Sequence, residues 1–205
     1  MRWLRKYTRN CTKDTMPFNL PNLLTWLRIL VIPLFVGIFY FPPASLSHAD
    51  QNLIATIIFT VAAITDWLDG YLARVLNQTS AFGAFLDPVA DKLMVAAALI
   101  VLVSLGRLDA LIAFIIIGRE ITISALREWM AQIGKSKSVA VSFLGKIKTA
   151  SQMIAIPLLL YHDKIGKSFD PQEIGTWLIY LAAILTLWSM AYYLRAAIPQ
   201  ALKRG

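Results

Sequence analysis

The chain has 205 residues, of which 58% are hydrophobic and only 16% charged, and its formal net charge is +8. A soluble domain carries nearer a quarter charged residues, so this composition excludes an ordinary soluble globular protein and points to an integral membrane protein with its basic residues in short polar segments. The single cysteine, Cys11, excludes an internal disulfide framework and a cysteine-built zinc site.

Residues 1–17 form a basic extension holding Arg2, Arg5, Lys6, Arg9 and Lys13. With Trp3, Leu4 and Tyr7 among them, the extension reads either as a short interfacial helix on anionic lipid or as a tail that only sets topology. The apolar run from Leu23 is too long for a signal-peptide core and no small-residue cleavage motif follows it, so it is expected to be an uncleaved first span. Further candidate spans follow, giving 22–41, 52–74, 88–106, 108–130, 144–162 and 174–198 in all, each near the roughly 20 residues that cross hydrocarbon. Only helices satisfy their own backbone in lipid without closing a barrel. The expected fold is therefore an all-α integral membrane bundle of six transmembrane helices, with a membrane domain over 18–198 and a basic tail over 199–205. Pro42-Pro43 ends the first span, and Asn77-Gln78-Thr79-Ser80 separates the second from the third. The second half of span four carries Arg119, Glu120, Arg127 and Glu128 and is expected to emerge at the interface.

Lysine and arginine bias sets orientation. The amino-terminal tail, the loop after span four (Lys135, Lys137) and the chain end (Lys203, Arg204) are basic, whereas residues 42–51 carry no lysine or arginine. Both termini are expected on the cytoplasmic side of a bacterial inner membrane, in a multi-pass protein. The tryptophans read as interface belts, His48 and His162 fall on the far side, and no nucleic-acid partner is expected.

Four aspartates, Asp66, Asp69, Asp87 and Asp91, lie within 26 residues that join spans two and three on the cytoplasmic side. An ionised carboxylate in a spanning helix costs roughly 2.5–3.5 kcal/mol on insertion scales, so a chain that keeps four must compensate their charge. Asp66 and Asp69 share one helix face, as do Asp87 and Asp91, and facing helices would bring the four carboxylates together. Magnesium prefers such hard oxygen ligands and keeps positions open for substrate phosphates. Gly70, Ala73 and Gly83 are small where a ligand must approach a helix closely, although close helix packing uses small residues too. Arg74 offers a fork of donors for a phosphate. Pro88 is tolerated in a first helical turn, which places Asp87 near the start of span three. Two other readings of the aspartates stay open, a cation or proton pathway and ion pairs with Arg28 and Arg74. Arg28 itself reads either as a snorkelling side chain or as a substrate contact.

The stretch reads D-x2-D-G-x2-A-R-x8-G-x3-D-x3-D from Asp66 to Asp91. This pattern resembles the signature of the CDP-alcohol phosphatidyltransferases, with all eight fixed positions present. A chance match has a probability on the order of 10⁻¹⁰ per starting point. The likeness extends from about Phe18 to about Leu194. The segments Asn19–Thr25, Gly118–Ile121, Ser124–Trp129, Ser138–Ser142 and Gly145–Thr149 resemble the bacterial phosphatidylglycerophosphate synthases within the family.

The resemblance implies that Asp66, Asp69, Asp87 and Asp91 ligate two Mg2+ ions, for which Mn2+ can substitute, and that Asp91 is also the general base. It implies that Pro21, Asn22, Gly70, Ala73, Arg74, Ser80 and Gly83 bind CDP-diacylglycerol, and that the protein is a homodimer among membrane lipid. The acceptor it implies is sn-glycerol 3-phosphate. The basic residues at the ends of spans four and five fit a dianionic phosphate better than a neutral polyol, and Arg119 and Lys146 lie nearest the apolar runs. Plain positive-inside bias would also place basic residues there. Other acceptors within the family, namely inositol, inositol phosphate, serine or phosphatidylglycerol, are the alternative, and an ion transporter a more distant one. A pathway would spread carboxylates through the bilayer depth, whereas these gather at one face.

Overall fold

The computed structural model describes residues 20–75, 81–132, 143–166 and 169–202. The extension 1–17, Ser80 and the end of the basic tail lie outside them. Among the described residues there are six α-helices and no strand: α1 Leu20–Gly37, α2 His48–Val75, α3 Ala81–Ser104, α4 Ala110–Gln132, α5 Phe143–Tyr161 and α6 Pro171–Leu202. A short 3₁₀ turn, Ile38–Tyr40, extends α1, and an isolated bridge pairs Ile165 with Phe169. The all-helical architecture is as expected, and every expected span falls on a helix.

Helix boundaries follow from local chemistry, most visibly at the end of the bundle formed by the α1–α2, α3–α4 and α5–α6 connections. Ser47 caps α2 by accepting from the backbone N–H of Asp50 at 3.2 Å while donating to its carboxylate at 2.6 Å. Asp109 Oδ1 accepts from Leu111 N–H at 2.7 Å at the start of α4. Asp170 accepts from Gln172 and Glu173 at the start of α6, where Pro171 occupies the first helical position. Gly106 ends the α3 region with φ +68°, a left-handed value that glycine adopts without Cβ strain. Arg107 then reaches across to α5, donating to the carbonyls of Leu159 and Leu160 at 3.3 and 2.7 Å and to Asn52 Oδ1 at 2.7 Å. It satisfies carbonyl groups that the end of α5 leaves without helical partners.

The core lies in this same half. Phe35, Phe59, Leu99, Leu102, Ile116, Ile156, Leu159 and Ile179 are buried together. At Gly175 a Cβ would stand 2.9 Å from Leu159 Cγ and 3.2 Å from the Ala155 carbonyl oxygen, so the missing side chain sets the close approach of α5 and α6. A second cluster, Ile123, Met130 and Tyr193, joins the later part of α4 to α6. The second half of α4 thus packs one face against α6, while Ile121, Ala125, Arg127 and Glu128 on its other face are exposed.

The surface inverts the distribution of a soluble protein. Leu34, Phe114, Trp177 and Trp188 are each about two-thirds exposed or more, while Thr25, Arg28, Arg119 and Lys148 are buried. Two stretches, Leu23–Tyr40 and Pro171–Arg195, are long and apolar enough to cross a membrane by length and hydropathy. The other four helices carry charged residues (Asp66 and Asp69, Asp87 and Asp91, Arg119 and Glu120, Lys146 and Lys148) in the half of the bundle opposite the capped ends.

Candidate active site

These charged residues converge because the helices alternate in direction, so the end of α2, the beginning of α3 and the beginning of α1 lie side by side. The three do not meet as two facing aspartate helices. α1 packs along both α2 and α3, which touch each other much less. One polar residue of α1 serves each neighbour. Arg28, its side chain 4% exposed, donates to Asp66 Oδ1 of α2 at 2.5 Å. One helical turn earlier, the fully buried Thr25 donates its hydroxyl to Asp87 Oδ1 of α3 at 2.5 Å. Arg28 is thus held inside the bundle by a carboxylate, and the snorkelling reading gives way to ion pairing. An arginine this deeply buried needs such a partner, since an unpaired buried charge costs several kcal/mol.

α3 begins at Ala81, so Pro88 is its eighth residue rather than part of its first turn. Asp87 and Asp91 consequently stand well inside a continuous helix, one turn apart. Asp91 lines a small gap with Arg28, Ala62 and Met153. On its other side it opens onto a polar cavity of about 110 Å³, whose lining also includes Lys92 of α3, Glu120 of α4 and Thr149 and Gln152 of α5. Asp91 makes no ion pair among the described residues.

Behind this cavity lies a buried charge cluster. Glu120 Oε1 accepts from Arg119 at 3.2 Å and also receives the Lys148 ammonium. Arg119 donates its other terminal nitrogen to Ser189 of α6 at 3.0 Å. Lys148 is 1% exposed and Arg119 7%. Of the two residues expected to hold an acceptor phosphate, Arg119 stands in this cluster, one residue from the cavity-lining Glu120. The side chain of Lys146 lies outside the described residues, and Lys148, two residues further along α5, is the lysine seen in the cluster.

The backbones of Asp69, Gly70, Ala73 and Arg74 lie in the last turns of α2, and those of Pro21, Asn22 and Gly83 in the first turns of α1 and α3. Their side chains, like Ser80 as a whole, fall outside what is described. Among the described residues no three Asp, Glu, His or Cys side chains gather closely enough to hold an ion. The donor chemistry nevertheless suits a hard cation. Asp66, Asp87 and Asp91 offer carboxylate oxygens only, and the second oxygens of Asp66 and Asp87 carry no hydrogen bond among the described residues.

Sequence reasoning gave no role at the site to Thr25, Glu120 or Gln152, and counted Lys148 only among the basic residues at the ends of spans four and five. Charges inside apolar runs are the available signal for Glu120 and Lys148, but their pairing across 28 residues of chain is not.

A bundle with half-buried carboxylates on α2 and α3, organised by α1 and with a small polar cavity beside Asp91, is the arrangement of a polar reaction site inside an apolar helical protein. The model of the CDP-alcohol phosphatidyltransferase family matches residues 18–188, and the chain belongs to that family. Among its relatives are the CDP-diacylglycerol–glycerol-3-phosphate 3-phosphatidyltransferases of Salmonella typhimurium, Shigella flexneri and Escherichia coli. Each is 50% identical to this chain over 184 residues, which are 89% of this chain and 96% of the relative.

Proposed function

We propose that this protein transfers a phosphatidyl group from CDP-diacylglycerol to sn-glycerol 3-phosphate, releasing CMP and forming phosphatidylglycerol phosphate. The observation that carries the reading is the identity with those relatives over nearly their whole length. The complete aspartate motif supports it, with Asp66 and Asp87 each held by a residue of α1 and Asp91 lining a small cavity with Glu120.

In the proposed reaction, Asp91 accepts the proton of the acceptor's C1 hydroxyl. The resulting oxygen forms a bond to the phosphorus that bears the diacylglycerol, and the bond from that phosphorus to the bridging oxygen of the diphosphate breaks, so that CMP carries away the electron pair. Arg28 fixes Asp66, and Thr25 fixes Asp87, so these carboxylates are held in place before substrate arrives. Asp66, Asp69, Asp87 and Asp91 would hold two magnesium ions, which supply charge neutralisation at the diphosphate. Arg74 and the small residues Gly70, Ala73 and Gly83 would contact the nucleotide, together with Pro21, Asn22 and Ser80. Arg119 and Lys146 would hold the acceptor phosphate through charge-assisted hydrogen bonds.

The six helices are proposed to span a bacterial cytoplasmic membrane as a homodimer, with both termini and the active site on the cytoplasmic side. The exposed leucines, phenylalanines and tryptophans would face lipid. Purified protein incubated with CDP-diacylglycerol, magnesium and glycerol 3-phosphate should yield phosphatidylglycerol phosphate and CMP in equal amounts, read by mass spectrometry. CMP appearing without the phosphorylated lipid would overturn the reading.

A further inference from the structure

The cavity beside Asp91 has a second carboxylate whose place in the reaction is unassigned. Glu120 lines it from α4, with Lys92, Thr149 and Gln152 completing its polar rim. Its two oxygens are not equivalent. Oε1 takes both cations, Arg119 and Lys148, whereas Oε2 makes no hydrogen bond among the described residues. The double ion pair fixes the carboxylate plane, because a buried lysine and a buried arginine from different helices both anchor the same oxygen. The free oxygen is then a fixed acceptor at the wall of a small cavity. The cluster as a whole stays net positive, so an anionic molecule is still welcome there. Thr149, by contrast, spends its hydroxyl proton on the Gly145 carbonyl at 2.9 Å.

A fixed acceptor beside a general base suits a molecule with two hydroxyls on adjacent carbons, one to be deprotonated and one to be recognised. We infer that Glu120 is a specificity-determining residue of the acceptor site, its Oε2 accepting a hydrogen bond from the non-reacting C2 hydroxyl of a glycerol-phosphate acceptor while Asp91 receives the proton of the C1 hydroxyl. The inference rests on the proposed transferase function. It gives the cavity a means of telling glycerol phosphate from a phosphate ester of similar charge and length, because a site built to bond a hydroxyl rejects the analogue that lacks it.

The test compares glycerol 3-phosphate with 1,3-propanediol monophosphate, which has the same reacting hydroxyl and phosphate but no C2 hydroxyl. The full-length protein should prefer glycerol 3-phosphate by roughly 10- to 100-fold in kcat/KM, the range of one hydrogen bond to a charged group. In Glu120→Ala the preference should collapse to within about threefold, and in Glu120→Gln, which keeps the side-chain size, it should fall to an intermediate value. A structural role alone would lower both acceptors by the same factor and leave the ratio intact, which would overturn the assignment. So would an unmodified protein without preference, or variants that both lose all turnover, because loss of a hydroxyl contact leaves residual turnover. Failure of the unmodified protein to use glycerol 3-phosphate at all would instead refute the proposed function.

Discussion

Arg28 of α1 and Asp66 of α2 form an ion pair of 2.5 Å in which the arginine side chain is 4% exposed and the carboxylate 36%. The pair makes Asp66 a structural residue as well as a candidate ligand, and it separates Asp66 from Asp91, which has no ion-pair partner among the described residues. Breaking a buried pair by removing one partner costs about 3–5 kcal/mol. Because water reaches Asp66, a loss of about 1–3 kcal/mol is expected for Asp66→Asn. Asp66→Asn should therefore lower both the melting temperature in detergent and the rate of CMP release. Asp91→Asn should reduce turnover by at least about 10²-fold with an unchanged melting temperature. Equal destabilisation by the two substitutions would place Asp91 in the same structural role.

Thr25 has no exposed surface and holds Asp87 through its hydroxyl. Thr25→Val keeps the shape and removes the donor, leaving a partly buried carboxylate short of one hydrogen bond at a cost of about 1–3 kcal/mol. Turnover should fall several-fold in Thr25→Val and recover in Thr25→Ser, measured side by side with the melting temperature. A valine variant as active as the threonine protein would show that Asp87 is positioned by other groups.

The all-oxygen donor set of the aspartate motif leads to a metal requirement. Chelation should abolish CMP release, and added magnesium or manganese should restore it. Full activity after exhaustive chelation would remove the metals from the mechanism.

Close contact between α5 and α6 depends on Gly175, whose absent Cβ leaves room for Leu159 and the Ala155 carbonyl. Gly175→Val should overpack this contact and cost about 1–3 kcal/mol, lowering the melting temperature. The KM of either substrate should not change, since the position lies in the half of the bundle away from the aspartates. A valine variant of normal stability would mean that the two helices separate at little cost.

Much of this was legible in the sequence. Each apolar run became a helix, because span length and breaks such as Pro42-Pro43 are local signals. The aspartate motif stands out because charge inside apolar sequence is conspicuous. The role of α1 was not legible: Thr25 and Arg28 reach Asp87 and Asp66 across 62 and 38 residues, and periodicity says nothing of which helix lies between two others. The start of α3 was misjudged because Pro88 is a common first-turn residue, yet here it sits seven residues inside the helix. Glu120 and Lys148 looked like interfacial charges because each alone fits that description. Their pairing leaves Lys148 buried and Glu120 half-buried.

The most direct test of the proposed transferase is CMP release by the purified protein in detergent, with CDP-diacylglycerol, magnesium and one acceptor at a time. Glycerol 3-phosphate should support turnover, while glycerol, inositol and serine should not, since the proposed acceptor site holds a phosphate through basic residues. Faster CMP release with inositol or serine than with glycerol 3-phosphate would contradict the proposed acceptor, and no CMP release with any of them would contradict the transferase itself.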